Sequence, residues 1–312
     1  TENIDSRIDY GIILPVFMLA VIGLLSLYVA ITHDVRNLSV TKEMLKQGLW
    51  YVLGGVAIII LMQFSSRVLW RLTPVFYGIG LVLMLALLEF YDAALAASTG
   101  SKNWFRFGPV TFQPAELMKI AYILMMAYVV TQHNAANRNR TVRTDFILLG
   151  KMLLVTAPVI GLVLLQKDFG TMLVFLAIFA GVFLMSGITW KIELPLIAFV
   201  LVVALGTIYL VTTDSGRELL YKVGFQDYQF ARIDSWLDPF HDTSGKSYQP
   251  AQALTAIGSG GILGKGFNTS EVYVPVRESD MIFSVIGENF GFIGGAVVIL
   301  LYFYLIYRMV LV

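Results

Sequence analysis

The chain has 312 residues, of which 57% are hydrophobic and 14% are charged, with a formal net charge of +1. Soluble proteins carry about 25% charged residues, so this composition excludes an ordinary water-soluble enzyme and a disordered chain. The few basic residues are scattered, which argues against a nucleic-acid partner. The sequence contains no cysteine, which excludes a disulfide framework, a thiolate metal site and a cysteine nucleophile. The composition therefore predicts a polytopic membrane protein, and the apolar runs described next make it all-α.

Eight stretches of the chain are long and apolar enough to cross a membrane, which takes about 20 mostly apolar residues. We predict spans at 11–31, 48–64, 72–91, 114–132, 146–166, 169–188, 190–212 and 281–310. Their apolar runs are continuous rather than alternating, which favours helices over the strands of a barrel. The fifth and sixth spans are almost directly connected and should form a tight helical hairpin.

The distribution of lysine and arginine predicts the orientation, because short cytoplasmic loops carry an excess of both. With a cytoplasmic N-terminus, the inside segments hold eight of these residues and the outside short loops hold six, and 137–143 alone contains three arginines. This orientation places the large loop 213–280 outside the cell. The loop holds nine of the 21 acidic residues and more than a third of all charges, which is typical of a functional loop rather than a simple connection.

Two aspartates of this loop are candidates for chemistry. Asp238 stands before a proline, and Asp242 begins the sequence Asp-Thr-Ser-Gly. Both patterns are typical of turns, so the residues by themselves favour a turn over a chemical role at each position.

A glycine-rich stretch at 256–266 surrounds Lys265. Its spacing matches neither a Walker loop nor a dinucleotide-binding loop. Two interpretations remain open: backbone N–H groups that cradle a diphosphate beside the lysine, or a closely packed turn.

Glu116 and Lys119 follow Pro114, which suits the first turn of a helix. The two charged residues are three apart and share a helix face. They form either an ion pair on a capped helix at the membrane edge or a buried polar pair lining a cavity.

Glu288 lies about two turns inside the last span, where an ionisable side chain indicates function. Gly287, Gly291 and Gly295 recur every four residues and predict tight helix packing, so Glu288 should face protein or a cavity. Asp168, at the tip of the hairpin, is interpreted as a helix N-cap.

Taken together, these motifs resemble the SEDS family of peptidoglycan polymerases. The ordered set is Gln113–Lys119, Asp168–Thr171, Asp238–Asp242, Gln252 with Ala256–Gly266, and Pro275–Phe283 with Asp280. The resemblance covers the chain as a single SEDS transmembrane domain, 1–312. Within the family the glycine-rich stretch is similar to the elongation branch, RodA, rather than the division branch, FtsW. The family has ten transmembrane helices against the eight counted here, and 274–276 lacks a glutamate that is typical of the family.

The resemblance implies a peptidoglycan glycosyltransferase of the bacterial plasma membrane that polymerises lipid II with inversion, for cell elongation and rod-shape maintenance. It makes Asp242 the extracellular catalytic base, which overturns the turn interpretation there and leaves it standing for Asp238. The residues predicted to bind substrate are Lys119, Glu116, Lys265, Arg232, Arg277, Gln252, Glu288 and Asp280. Lys119 and Lys265 are the first candidates to lie near the diphosphate.

No cofactor is required by this chemistry, although Mg²⁺ or Mn²⁺ could share the neutralisation of the diphosphate. The expected partners are lipid II, a class B penicillin-binding transpeptidase, the elongation machinery and the membrane. Two other functions stay open. A flippase for lipid-linked precursors could use Glu288, Glu116 and Lys119 along its path, and a non-catalytic scaffold could recruit a cell-wall synthase.

Overall fold

The computed structural model describes residues 9–36, 38–108, 110–222, 227–240, 245 and 247–311. Within these ranges the protein has twelve α-helices and a two-stranded antiparallel hairpin. In chain order they are α1 (Tyr10–Thr32), α2 (Val40–Met62), α3 (Ser66–Phe90), α4 (Ala93–Thr99), β1 (Phe105–Phe107), β2 (Val110–Phe112), α5 (Pro114–Ala136), α6 (Val142–Leu165), α7 (Phe169–Met185), α8 (Trp190–Thr212), α9 (Asp214–Lys222), α10 (Asp227–Leu237), α11 (Tyr248–Ser259) and α12 (Ile282–Leu311).

Seven of the described helices are long and apolar enough to cross a membrane: α1, α2, α3, α5, α6, α8 and α12. This confirms the prediction of an all-α polytopic membrane protein. The remaining predicted span, the sixth in chain order, is α7, an apolar helix of 17 residues, somewhat shorter than the usual span of about 20. Helices α6 and α7 pack against each other across a short turn, which confirms the predicted hairpin.

The second helix begins eight residues before the predicted start of its span. Ser39 provides the N-cap, accepting a hydrogen bond from the backbone N–H of Lys42 at 3.4 Å. The polar residues that follow form its first two turns, because capping and helix propensity extend a helix beyond its apolar stretch. The length of the apolar stretch therefore predicted this helix correctly but placed its first residue too late.

The chain forms two compact units. We call residues 1–63 and 208–312 the terminal unit, and residues 64–207 the central unit.

In the terminal unit, α12 packs against both α1 and α11. Arg308, near the end of α12, donates to both carboxylate oxygens of Asp9 at 2.7 Å, and Asp9 is the N-cap of α1. At the other end of α1, the buried Arg277 donates to the backbone carbonyl of His33. The two helices are therefore antiparallel and joined by an arginine at each end.

The central unit packs α3, α5, α6 and α7 around one apolar core. The rings of Tyr122 and Phe175 meet edge-on at 5.4 Å, and the Tyr122 hydroxyl lies 2.7 Å from Thr156 Oγ1. Gln166, fully buried after α6, donates to the carbonyl of Met84 at 3.0 Å. That bond fixes the turn between α6 and α7 against α3, and thereby the position of Asp168.

Candidate functional site

The last span is interrupted inside the membrane-spanning segment. At Gly291 the backbone leaves helical geometry, with φ 63° and ψ −159°. The chain segment 260–266, which we call the glycine loop, lies against this break. Two of its N–H groups donate to carbonyls of the first half of α12, Lys265 to Glu288 (2.9 Å) and Gly266 to Asn289 (3.2 Å).

The second half of α12 is capped by the same loop. The N–H groups of Phe292 and Ile293 donate to the carbonyls of Gly261 and Ile262 at 2.9 and 3.2 Å. A broken helix leaves unpaired groups on both sides of the break, and the glycine loop supplies partners on both sides.

The glycine loop is a closely packed turn. A Cβ on Gly260 would lie 1.9 Å from the carbonyl oxygen of Gly287, and one on Gly264 would lie 2.2 Å from that of Asn289. The N–H groups of residues 260, 261, 264, 265 and 266 all donate to backbone carbonyls. These five N–H groups already have hydrogen-bond partners within the protein. The predicted diphosphate cradle made of them is therefore wrong, and the alternative prediction of a closely packed turn is confirmed.

Glu288 faces protein, as the stripe of glycines predicts. Its side chain is 4% exposed. One carboxylate oxygen accepts from the N–H groups of Glu271 (2.9 Å) and Val272 (3.1 Å) and from Lys265 Nζ (3.3 Å). A buried carboxylate needs such donors, and here they fix the segment after the glycine loop to α12.

Lys265 has two carboxylate partners of different exposure. Its ammonium lies 2.7 Å from Glu271, whose side chain is 67% exposed, and 3.3 Å from Glu288. The hydrogen bond to Glu271, followed by that to Glu288, raises the pKa of Lys265. The lysine is therefore cationic at neutral pH, with one buried and one exposed neighbour.

Arg277 is 4% exposed and is held by the protein on two sides. One amino group donates to Ser270 Oγ, and the other donates to the carbonyl of His33. Burial lowers the pKa of Arg277, against the opposing effect of Asp34 and other acids nearby. Its contacts join the segment before α12 to the end of α1.

A second arginine reinforces this connection. Arg36 bridges Asp34, at 2.6 Å, and Glu278. The hydrogen bond from Arg36 lowers the pKa of Asp34. The ends of α1 and of the segment before α12 thus share an ionic network that the sequence analysis missed, because its members are about 240 residues apart.

The remaining candidates of the terminal unit are less constrained. Gln252 is half-buried on α11, and Asp280 is exposed. Arg232 belongs to α10, but its side chain is outside the described part of the structure. Asp242 also lies outside the described residues.

Glu116 and Lys119 form an ion pair in the central unit, 2.8 Å apart. The Glu116 side chain is 58% exposed and that of Lys119 25%, and Pro114 occupies the first turn of α5. Within this unit the geometry is that of a surface pair on a helix start, not of a buried polar pair.

Asp168 is the N-cap of α7, as predicted: it accepts from the N–H of Thr171 at 3.1 Å. It also accepts from Asn103 Nδ2 at 2.6 Å and Gln113 Nε2 at 3.2 Å. One carboxylate therefore fixes the loop before β1 and the start of α5, the helix that carries Glu116 and Lys119. No sequence pattern indicated the contact with Asn103.

Comparisons with known proteins agree with this architecture. The family FTSW_RODA_SPOVE, described as cell cycle proteins, matches residues 10–312. The chain is 31% identical to a probable peptidoglycan glycosyltransferase FtsW of Thiomicrospira cyclica, over 99% of this chain and 75% of that protein. It is also 31% identical to the peptidoglycan glycosyltransferase MrdB of Escherichia coli, over 82% of this chain and 64% of that protein.

A solved structure is similar over most of the chain. It is the structure of a peptidoglycan synthase complex and concerns the structural coordination of polymerization and crosslinking. It matches this chain with a TM-score of 0.69 and 27% identity. The match covers 96% of this chain and 76% of that chain.

The buried and exposed partners of Lys265 should differ in their effect on stability. We expect Glu288→Gln to lower the free energy of unfolding by about 2–3 kcal/mol, because a buried charge that accepts three hydrogen bonds is lost. Glu271→Gln is the matched control and should cost less than about 1 kcal/mol, since an exposed ion pair contributes little. Thermal unfolding of the purified protein in detergent measures both, and equal shifts would contradict this assignment of Glu288.

Proposed function

The chain belongs to the FTSW_RODA_SPOVE family of cell cycle proteins, and on that premise we propose that it is a peptidoglycan glycosyltransferase that polymerises lipid II into glycan strands. The observation that carries the proposal is the match to two relatives named as such enzymes, over 99% and 82% of this chain. The proposed enzyme is one transmembrane domain, 1–312, with the catalytic acid in the segment 213–280.

In the proposed reaction, a sugar hydroxyl of one substrate attacks the anomeric carbon of a second, polyprenyl diphosphate-linked sugar. The bond from that carbon to the diphosphate breaks, and the diphosphate leaves with the electron pair. The configuration is inverted because the hydroxyl attacks the face opposite the diphosphate. Asp242 takes the proton of the attacking hydroxyl as a general base. No general acid is needed, because a diphosphate leaves as a stable anion, unlike the alkoxide of a glycosidase reaction.

We place Lys265 at the leaving diphosphate. A diphosphate oxygen can replace the exposed Glu271 at its ammonium, while the buried Glu288 keeps the lysine in position. A preorganised cation of this kind stabilises the charge that develops on a leaving group. Arg277 adds positive charge nearby through its field rather than by contact, since both of its amino groups are engaged.

Lys119, paired with Glu116, is the second cation proposed for the substrate. Roles for Arg232, Gln252 and Asp280 in substrate binding rest on the motifs alone and remain predictions.

Purified protein and purified lipid II test the chemistry directly. We expect glycan strands from the wild type and a loss of at least about 100-fold in Asp242→Ala, the usual effect of removing a general base. Asp238→Ala is the matched control: the Asp238 carboxylate accepts from the N–H of Phe240 at 3.2 Å, as in a turn, and this variant should keep most of the activity. A folded wild type that makes no strands would favour the flippase or the scaffold instead.

The segment 213–280 is proposed to be extracellular. Helix α8 begins at the end of the central unit that carries more lysine and arginine, and the positive-inside rule assigns that end to the cytoplasm. Because α8 crosses the membrane, the segment that follows it lies outside. The proposed location is therefore the bacterial plasma membrane, with the catalytic segment outside.

The cysteine-free sequence allows a clean test of this topology. Ser215→Cys on α9 and Asn139→Cys between α5 and α6 each introduce one exposed thiol. A membrane-impermeant maleimide added to intact spheroplasts should label Ser215→Cys and should label Asn139→Cys only after permeabilisation. The reverse pattern would refute the mechanism, since the catalytic segment would be cytoplasmic.

We further propose that the enzyme serves cell elongation, with a class B penicillin-binding transpeptidase as its partner. The glycine loop with Lys265 supports the elongation branch, and the similar synthase complex, which couples polymerization with crosslinking, supports the partner. Expression should restore rod shape in a host depleted of its elongation-branch polymerase, and it should not restore septation in a host depleted of the division-branch enzyme. Rescue of septation alone would assign the protein to division.

A further inference from the structure

One end of the central unit is strongly basic. Helices α3, α6 and α8 begin there, and α5 and α7 end there, as two contacts show: Trp70 lies 5.4 Å from Tyr128, and Asn134 Nδ2 donates to the carbonyl of Ser186 at 3.1 Å. Seven basic residues face two acidic ones at this end, a formal charge of +5. The basic residues are Arg67, Arg71, Arg138, Arg140, Arg143, Lys151 and Lys191, and the acidic ones are Asp145 and Glu193.

The opposite end of the same unit is balanced. Its four basic residues are Lys102, Arg106, Lys119 and Lys167, and its four acidic residues are Glu89, Asp92, Glu116 and Asp168. Most of the cations there have internal partners: Arg106 pairs with Asp92 and Lys119 with Glu116, both at 2.8 Å, and Lys102 lies over the ring of Tyr91.

Within the described ranges, the cations of the basic end have no carboxylate partners of this kind. Among the residues that the structure describes, none of the seven lies within 4 Å of a carboxylate. Asp145 is buried and accepts a hydrogen bond from the N–H of Thr189 at 3.0 Å. The charge of this end is therefore not neutralised by carboxylates within the part of the chain that the structure describes.

Lys151 lies inside the span rather than in a loop. It is nine residues from the start of α6, or about 13 Å along the helix axis. Its neighbours on the helix surface include the exposed Ile147 and Leu154, so it lies on an exposed, apolar face of a helix that is long and apolar enough to cross a membrane. The orientation of the protein explains arginines in a cytoplasmic loop, but it does not explain a cation at this depth, which is costly without a counter-charge.

The position of the Lys151 ammonium is fixed by the protein. Its Nζ lies 3.3 Å from Nδ1 of His133, which is 5% exposed. An ammonium only donates, so Nδ1 is the acceptor. Side chains of a helix lean towards its N-terminus, which directs this ammonium towards the basic end.

Arg140 is held at the surface of the same end. A Cβ on Gly187 would lie 2.4 Å from Arg140 Nη1, so the guanidinium lies directly against the turn between α7 and α8. Among the described residues this arginine is positioned by packing against the backbone and has no carboxylate partner, which leaves its charge available.

We propose that the basic end of the central unit binds anionic phospholipid, with Lys151 as its deepest contact and Arg140 at the level of the headgroup. Each cation would attract a lipid phosphate at its own level, and the acyl chains of that lipid would lie along the exposed apolar residues of α6. An anionic headgroup fits because it brings a net negative charge, whereas a zwitterionic headgroup brings none, and basic clusters at the cytoplasmic surface attract such lipids. The site is separate from the proposed catalytic segment and does not depend on the proposed function.

Native tryptophans report on this end. Trp70 lies in the second turn of α3, and Trp190, which is 78% exposed, is the first residue of α8. With Trp50, Trp104 and Trp236 replaced by phenylalanine, the protein is reconstituted in mixed vesicles in which either phosphatidylglycerol or phosphatidylcholine carries brominated chains. The quenching of tryptophan fluorescence then gives the relative association of the two lipids.

We expect phosphatidylglycerol to be preferred several-fold, and Lys151→Gln and Arg140→Gln each to lower that preference about fivefold, the value of one basic residue at an anionic surface. Lys151→Arg keeps the charge and should keep the preference. Lys102→Gln, at the balanced end, is the matched control and should have no effect. Equal quenching by both brominated lipids would overturn the proposal and leave the basic end to an acidic protein segment, and so would a preference that neither glutamine variant changes.

Discussion

The structure of the terminal unit depends on the need to pair backbone groups where the last span is broken. In hydrocarbon an unpaired N–H or carbonyl group costs several kcal/mol, so a helix can break there only if another segment supplies partners. The glycine loop does this on both sides of Gly291. Its own glycines are required by the close approach, since a Cβ on Gly264 would collide with the carbonyl oxygen of Asn289.

The buried carboxylate of Glu288 follows from the same arrangement. Once the glycine loop is bonded to α12, the chain after it returns along the helix, and the N–H groups of Glu271 and Val272 meet the carboxylate. The carboxylate of Glu288 thus accepts the backbone hydrogen bonds that carbonyl groups would accept if this segment were a strand or a helix. Further along, Arg277 and Arg36 fasten the segment to the end of α1, so the irregular chain before α12 is held at both of its ends.

Much of the fold was predictable from the sequence, because span length and apolar continuity are set by the bilayer. Seven predicted spans and the hairpin of α6 and α7 appear with bounds that differ by a few residues, apart from the early start of α2. The break at Gly291 was not predictable, since glycines every four residues indicate helix packing whether or not the helix is continuous. The ionic network of Arg36 was missed because it joins residues about 240 positions apart. The β1–β2 hairpin is local, but its strands have only three residues each, too few for an alternating pattern to indicate them.

The candidate site was predictable in its residues more than in its geometry. Lys265 and Glu288 were selected separately, one for its glycines and one for its depth, and no pattern indicated that they form a pair at 3.3 Å. The pair changes what the lysine can do. Glu288 cannot be displaced without leaving two N–H groups unpaired, whereas the exposed Glu271 can move into water at little cost. A lysine with one permanent and one replaceable partner keeps its position while it accepts a new anion.

Lys119 differs in its surroundings. Its only carboxylate partner in the described structure is Glu116, which lies on the same helix and is exposed. No buried group would therefore hold Lys119 in place if a substrate anion replaced Glu116. This difference is the physical reason for placing Lys265, rather than Lys119, at the leaving diphosphate.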